Sequence, residues 1–200
     1  LFFIILSPVG SYYAHGLEPT KLLVEDFYVR SAIGGTGEAK CLGNYAASMK
    51  AGEEAEKKGF DQVLWLDAKD KKYVEEVGSM NMFFVINGEV VTPALVGSIL
   101  PGITRKSCLQ VLRDKGYPVS ERRISIDEVI EASKNGTLDE AFGTGTAAVI
   151  SPVGLIRYKD EDYVINGGKM GEVTKMLYDT ITGIQYGKLE DTYHWRKIIR

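Results

Sequence analysis

Lys40 is the residue on which chemistry is most readily built. It follows the run Gly34-Gly35-Thr36-Gly37-Glu38-Ala39 and precedes a helical pattern beginning at Tyr45, with Asn44 placed to cap it. Glycines in such a run permit positive φ and let a bulky ligand approach the backbone. A lysine held there can bind a phosphate or form an imine through its amine. A Walker-type phosphate loop requires Gly-Lys-Ser/Thr, whereas Ala39 precedes Lys40 and Cys41 follows it, so that reading fails. Three further stretches carry groups that could work beside an amine. Glu75 and Glu76 are adjacent on a strand pattern and point to opposite faces, one toward water and one inward. Leu100-Pro101-Gly102-Ile103-Thr104 is a turn entering a helix, with Thr104 as N-cap and Ile103 stapled to Cys108; a helix start offers free N–H groups and a positive dipole end to an anion. Gly143-Thr144-Gly145-Thr146-Ala147 sets backbone N–H groups beside two hydroxyls, which makes either an anion nest or a plain strand connector.

The surrounding periodicities supply elements to position these groups. Tyr45 to Lys58 is helical, with Ala47, Ala51 and Ala55 stacked at four-residue spacing and Gly59 ending it. Lys21 to Val24, Asp61 to Leu66, Tyr73 to Glu76 and Asn81 to Ile86 are strand-like, with a hairpin at Asn87-Gly88. Cys108, Val111 and Leu112 form the buried stripe of the helix ended by Gly116. Ser125-Ile126-Asp127-Glu128 is a capping box, Leu155 to Tyr158 and Tyr163 to Ile165 form a hairpin, and Gly171 to Tyr186 is a last amphipathic helix. Leu1 to Leu6 reads as a strand buried on both faces and stopped by Pro8 and Gly10.

Composition narrows the function classes. A formal net charge of -3 over 200 residues gives no basic face for nucleic acid, and the apolar start is too short to span a membrane. Cys41 and Cys108 form no CxxC pair, so a reducing cytoplasm is the default compartment, and with only two histidines a metal site is not expected. The chain starts without methionine inside a strand pattern and reads as a fragment.

Taken in order, Lys40 to Tyr45, Glu76-Val77-Gly78-Ser79-Met80-Asn81, Leu100 to Arg105 and Gly145-Thr146-Ala147 resemble the motifs of the class IV pyridoxal-phosphate aminotransferases, most closely the branched-chain amino-acid aminotransferases. The resemblance covers nearly the whole chain. It implies an α/β fold, the large domain of the class IV fold: a mixed sheet or pseudo-barrel with surrounding helices. Residues 1–20 would be the last strand of a smaller domain and an interdomain loop, and residues 21–200 the cofactor-binding domain.

The same resemblance assigns roles. Lys40 is the imine-forming lysine and proton shuttle, and matching Asn81 to the family's asparagine selects Glu76 as the partner of the pyridine nitrogen. Tyr45 meets the phenolic oxygen, Leu100 packs on the ring and Ser79 touches the cofactor. The N–H groups of Ile103 and Thr104, with the hydroxyls of Thr104 and Thr146, hold the phosphate. The N–H groups of Thr146 and Ala147 receive the substrate carboxylate, and Tyr12 or Tyr13 lies near the substrate. The implied cofactor is pyridoxal 5'-phosphate, the substrates are leucine, isoleucine or valine and 2-oxoglutarate, and the assembly is a homodimer. An arginine of the phosphate site, and an aromatic residue and an arginine that help to bind substrate, belong to the family's small domain, so the chain alone is expected to turn over poorly. The alternatives are a D-amino-acid aminotransferase, an aminodeoxychorismate lyase, or a non-catalytic domain.

Overall fold

A computed structural model describes residues 2–8 and 17–199. Its architecture is one mixed sheet, most of it rolled into a barrel, with helices packed outside. The strands are β1 (Thr20–Glu25), β2 (Gln62–Leu66), β3 (Val74–Val77), β4 (Met80–Ile86), β5 (Glu89–Pro93), β6 (Val119–Arg122), β7 (Leu138–Gly145), β8 (Val149–Tyr158) and β9 (Glu161–Val164). They run β3-β2-β1-β8-β7-β4, and a further β3–β4 pairing closes this path into a ring. β5 and β6 extend from β4, and β9 pairs with β8. The pseudo-barrel implied by the resemblance is thus present.

Two parallel strand–helix–strand units carry the site's loops. β1 leads through α1 (Leu42–Lys57) to its parallel neighbour β2, and β5 leads through α2 (Ile103–Asp114) to its parallel neighbour β6. Parallel neighbours need such crossovers, and each leaves a loop between the end of a strand and the start of a helix. Lys40 lies in the first loop and Leu100 in the second.

Burial on two faces explains the near-continuous apolar strands. Met82 and Phe84 of β4 join Leu64 and Leu66 of β2 in one cluster; Phe83 and Val85 turn the other way, under α2 and α4 (Glu172–Gln185). Phe83 stacks on Phe142 at 5.1 Å between centroids. α1 packs Ala51 and Ala55 against Val63, Trp65 and Phe60. Ala47, expected in that stripe, is exposed: the helix begins at Leu42, three residues early, and turns Asn44 into the buried row instead.

Other expectations are met. The turn at Asn87 and Gly88 has φ of 51° and 75°, the left-handed pair that a two-residue hairpin requires. Ser125 caps α3 (Ile126–Lys134) by accepting the Glu128 N–H, although the Glu128 carboxylate pairs with Arg122 and does not close a reciprocal box. The N-terminal expectation is not met among the described residues. Phe2 to Leu6 form no strand, and each side chain is at least 66% exposed. An extended segment gains a strand's stability only from a ladder partner, and no strand of the sheet pairs with this one. No helix among the described residues is long and apolar enough to cross a membrane.

α4 is seated by a buried carboxylate. Glu140 of β7 accepts the N–H groups of Val173 and Thr174 at 2.8 Å each and the Thr174 hydroxyl at 2.6 Å. This satisfies two donors of the helix's first turn and places negative charge at its positive end. Gly171 is required beside it, since a Cβ there would lie 1.9 Å from the Glu140 carboxyl carbon. Replacing Glu140 by Ala should lower stability by about 2–3 kcal/mol, measured by urea denaturation, because buried donors lose a charged acceptor; a loss below about 0.5 kcal/mol would contradict this seating.

Candidate active site

The Lys40 loop is held from inside its own helix. Asn44 does not cap α1; Cys41 occupies that position, and no side chain caps the helix. The Asn44 side chain folds back, its Nδ2 donating to the Thr36 carbonyl at 2.7 Å and the Ala39 carbonyl at 3.0 Å, while its Oδ1 accepts from the Thr36 hydroxyl at 2.7 Å. The residue before Lys40 is thereby pinned to α1. Gly37 is buried in the same loop, where an added Cβ would sit 2.1 Å from the Ser98 carbonyl oxygen. Only glycine lets the two crossover loops approach so closely. Lys40 itself is exposed at the cleft, its Nζ 5.2 Å from the centre of the Tyr45 ring.

Behind the cleft, the β3–β4 hairpin grips the second loop. Glu76 and Asn81 are directly paired across the two strands. The Glu76 Oε1 accepts the Leu100 N–H at 2.8 Å, and the Asn81 Nδ2 donates to the Leu100 carbonyl at 2.8 Å. One cross-strand pair therefore holds both polar groups of Leu100. Gly102 lies against the same asparagine: a Cβ there would approach Asn81 Oδ1 to 2.1 Å.

Strand alternation placed one of the two glutamates in water, and the structure corrects that: both are buried, Glu75 at 4% exposure and Glu76 at 3%. Glu75 avoids solvent because the Ser98 hydroxyl donates to it. Glu76 pairs through Oε2 with Arg30 Nε at 3.1 Å, and Arg30 also donates to the Ser98 carbonyl at 2.7 Å. Burial pushes the Glu76 carboxyl up to about 7; Arg30, the Leu100 N–H and Lys40 pull against burial, while Glu75 adds to it. Burial also raises Glu75, opposed by its Ser98 hydrogen bond and by Arg30.

α2 supplies the cleft's floor. Its N-cap is Gly102 and not Thr104, and no side chain caps it. The N–H groups of Ile103 and Thr104 thus belong to an uncapped first turn. Ile103 is 76% exposed and does not staple to Cys108, whereas Cys108, Val111 and Leu112 are buried as expected. Gly143 and Thr144 continue β7, so the turn of the fourth motif is confined to residues 146–148.

One cleft is lined by Lys40, Ser79, Leu100, Ile103, Thr104, Thr146 and Ala147, together with Met80, Asn81, Gly102, Thr144 and Gly145. Tyr45 stands beside it through its contact with Lys40. Glu76 is not on its wall but is tied to it through Leu100. Tyr12 and Tyr13 lie outside the described residues. Arg30, Asn81 and Thr144 were not assigned from the sequence as site residues. Asn81 served in the sequence only to select Glu76 within their shared motif, and the sole signal for Arg30 was a lone charge among Tyr28, Val29 and Ile33 before the glycine run.

These residues suit a phosphorylated aldehyde cofactor. Among the described residues the Thr144 hydroxyl, buried on the cleft, has no hydrogen-bond partner, α2 presents an uncapped positive end, and an amine stands at the mouth. The class IV amino-transferase family matches residues 15–156. The chain belongs to that family. Among class IV amino-transferases, it is 63% identical to branched-chain-amino-acid aminotransferase 2 of Bacillus subtilis (strain 168) over 192 residues, which is 96% of this chain and 53% of that protein. It is 49% identical over 198 residues to the branched-chain-amino-acid aminotransferase of Mycobacterium tuberculosis (strain CDC 1551 / Oshkosh), covering 97% of this chain and 54% of that one. The chain spans about half the length of the curated relatives it matches. In structure it resembles the Escherichia coli branched-chain amino acid aminotransferase with a TM-score of 0.82 at 31% identity, covering 94% of this chain and 59% of that chain. A second solved branched-chain amino acid aminotransferase, with pyridoxamine 5'-phosphate, gives a TM-score of 0.80 at 29% identity, covering 96% of this chain and 59% of that chain.

The raised Glu76 carboxyl makes stability depend on pH. The folded state holds its proton up to about 7 while the unfolded chain releases it near the ordinary 4.5, so this group favours folding at low pH and loses that contribution as pH rises through this window. Relative to Glu76→Gln, the unsubstituted chain should lose about 3 kcal/mol between about pH 4.5 and about pH 8 in urea denaturation. An unchanged gap between the two proteins across that range would contradict the assignment.

Proposed function

We propose that this chain is the cofactor-binding portion of a pyridoxal-phosphate-dependent aminotransferase that exchanges amino groups between leucine, isoleucine or valine and 2-oxo acids, with 2-oxoglutarate as acceptor. The observation that carries the reading is the convergence on one cleft of an exposed lysine, an uncapped helix start and a loop gripped by a buried carboxylate. The names of the relatives narrow the substrate class to branched-chain amino acids. The neighbour with pyridoxamine 5'-phosphate supports the cofactor class.

When bound, pyridoxal phosphate supplies a carbonyl for amines and a ring that accepts electrons from the substrate Cα. The work left to this chain is positioning and proton transfer. Lys40 Nζ would hold the cofactor and, as a free amine, would take the proton from the substrate Cα and return it to the carbonyl carbon of the cofactor. Glu76 keeps positive charge on the ring nitrogen. The N–H groups of Ile103 and Thr104 and the hydroxyls of Thr104 and Thr146 bind the phosphate, as a helix start does. Leu100 packs on the ring, Ser79 touches the cofactor, and Tyr45 donates to the phenolic oxygen. The N–H groups of Thr146 and Ala147 orient the substrate carboxylate.

On this reading residues 1–20 end a smaller domain and join it to residues 21–200, and the working form is a cytoplasmic homodimer. The free thiols Cys41 and Cys108 suit that compartment.

The test is reductive trapping. The chain, and a fusion of it to the N-terminal half of the Bacillus subtilis relative, are mixed with pyridoxal phosphate, reduced with borohydride and mapped by mass spectrometry. The adduct should fall on Lys40 and vanish in Lys40→Ala, and the fusion should form glutamate from leucine and 2-oxoglutarate. Adducts scattered over surface lysines in both proteins would overturn the reading.

A further inference from the structure

Arg30 has no part in the cleft, yet it is 8% exposed and its charge has to be accounted for. Its guanidinium meets Glu76 Oε2 at 3.1 Å and the Ser98 carbonyl at 2.7 Å. A buried ion pair is a weak source of stability, because both ions lose their hydration and apolar replacements are often as stable or more so. The Ser98 carbonyl does not depend on this arginine either, since the Ser31 hydroxyl donates to it at 2.7 Å. Among the described residues, what only Arg30 provides is a fixed cation in contact with Glu76. The charged groups around that carboxylate are Arg30, Glu75 and Lys40. Glu75 opposes its ionisation, and Lys40 is at the exposed mouth. Glu75 is meanwhile engaged by the Ser98 hydroxyl, which leaves the guanidinium free to serve Glu76.

We propose that Arg30 is a positioning residue that favours the anionic form of Glu76 and so moves the shared proton toward the cofactor's ring nitrogen. This rests on the aminotransferase reading above. Between a carboxylate and a ring nitrogen that share one proton, the weaker base gives it up. A cation against the carboxylate weakens it as a base and moves the proton to nitrogen. Without Arg30 the carboxyl retains the proton, the ring nitrogen is neutral, and the ring accepts electrons poorly. The second carboxylate oxygen, Oε1, accepts the Leu100 N–H, which orients the group, while Arg30 acts on Oε2 as a charge and not as a hydrogen-bond donor.

The first measurement needs no cofactor. Protein labelled with 13C at the glutamate carboxyl carbons is titrated by NMR, with Glu76→Gln identifying the resonance. Arg30→Met should raise the Glu76 midpoint by about one pH unit or more, Arg30→Lys should restore most of the original value, and Ser31→Ala, which removes the neutral donor to Ser98 and a long 3.5 Å acceptor of Arg30 Nη2 but no charge, should leave it in place. A merely structural role for Arg30 predicts equal midpoints in all folded variants, and that result overturns the proposal. If Arg30→Met does not fold, Arg30→Gln takes its place and should raise the midpoint in the same way; an unshifted midpoint in folded Arg30→Gln, or a rise of about one pH unit in Ser31→Ala, overturns the proposal.

The second measurement uses pyridoxal phosphate labelled with 15N in the ring, bound to the fusion protein. The unsubstituted protein should show a protonated ring nitrogen near neutral pH and Arg30→Met a deprotonated one. Failure of the unsubstituted protein to bind the labelled cofactor contradicts the functional reading itself. Binding with an identical nitrogen signal in both proteins contradicts only the role given to Arg30.

Discussion

The site depends on the fixing of one short segment of the β5–α2 loop, Ser98 to Gly102, between the β1–α1 loop and the β3–β4 hairpin. The Ser98 carbonyl takes hydrogen bonds from Arg30 and Ser31, its hydroxyl goes to Glu75, and the two polar groups of Leu100 go to Glu76 and Asn81. Gly37 lets the Lys40 loop settle on the same carbonyl. Two crossover loops far apart in sequence are thereby locked together, with the hairpin behind them. The uncapped start of α2 follows directly from Gly102, so its N–H groups are aimed by the same contacts. Small groups dominate at these points because backbone approaches backbone, and hydrogen bonds to buried carboxylates are stronger than those between neutral groups.

Charge follows from this packing. The hairpin buries two neighbouring carboxylates, an arrangement that costs free energy unless each is matched by a donor or a cation. A hydroxyl matches Glu75 and a guanidinium matches Glu76, and the two are accordingly not equivalent. The carboxyl paired with arginine is the one that also bonds Leu100, which lines the cleft. On the proposed function, this asymmetry is how the fold chooses one of two adjacent glutamates to face a cofactor. Electrostatic preorganisation of this kind is set during folding and requires little rearrangement when a ligand arrives.

Part of the fold is legible from neighbours along the chain. The amphipathic helices, the Asn87-Gly88 turn and the Ser125 cap depend on neighbours along the chain, and the structure has them. The resemblance identified the family and the barrel, and it named seven of the residues that line one cleft. What it missed depends on tertiary contacts. Asn44 resembles a cap but ties a loop, because α1 starts three residues earlier than its apolar pattern. Thr104 yields the cap position to Gly102, where the approach of Asn81 leaves no room for a Cβ. Alternation along β3 put one glutamate in solvent, but a hydroxyl from a loop 23 residues away makes its burial tolerable. Arg30 could not be assigned at all, since its partners lie at Glu76 and Ser98 and no spacing near residue 30 announces them.

The most direct measurement is a crystal structure of the chain, or of its fusion to a relative's N-terminal half, with pyridoxal phosphate bound. The account predicts density continuous with Lys40 Nζ, phosphate oxygens on the N–H groups of Ile103 and Thr104, and the ring nitrogen in contact with a Glu76 carboxylate that still holds the Leu100 loop. A cofactor bound at another lysine, or one whose phosphate avoids the start of α2 while Glu76 stays out of contact, would contradict it.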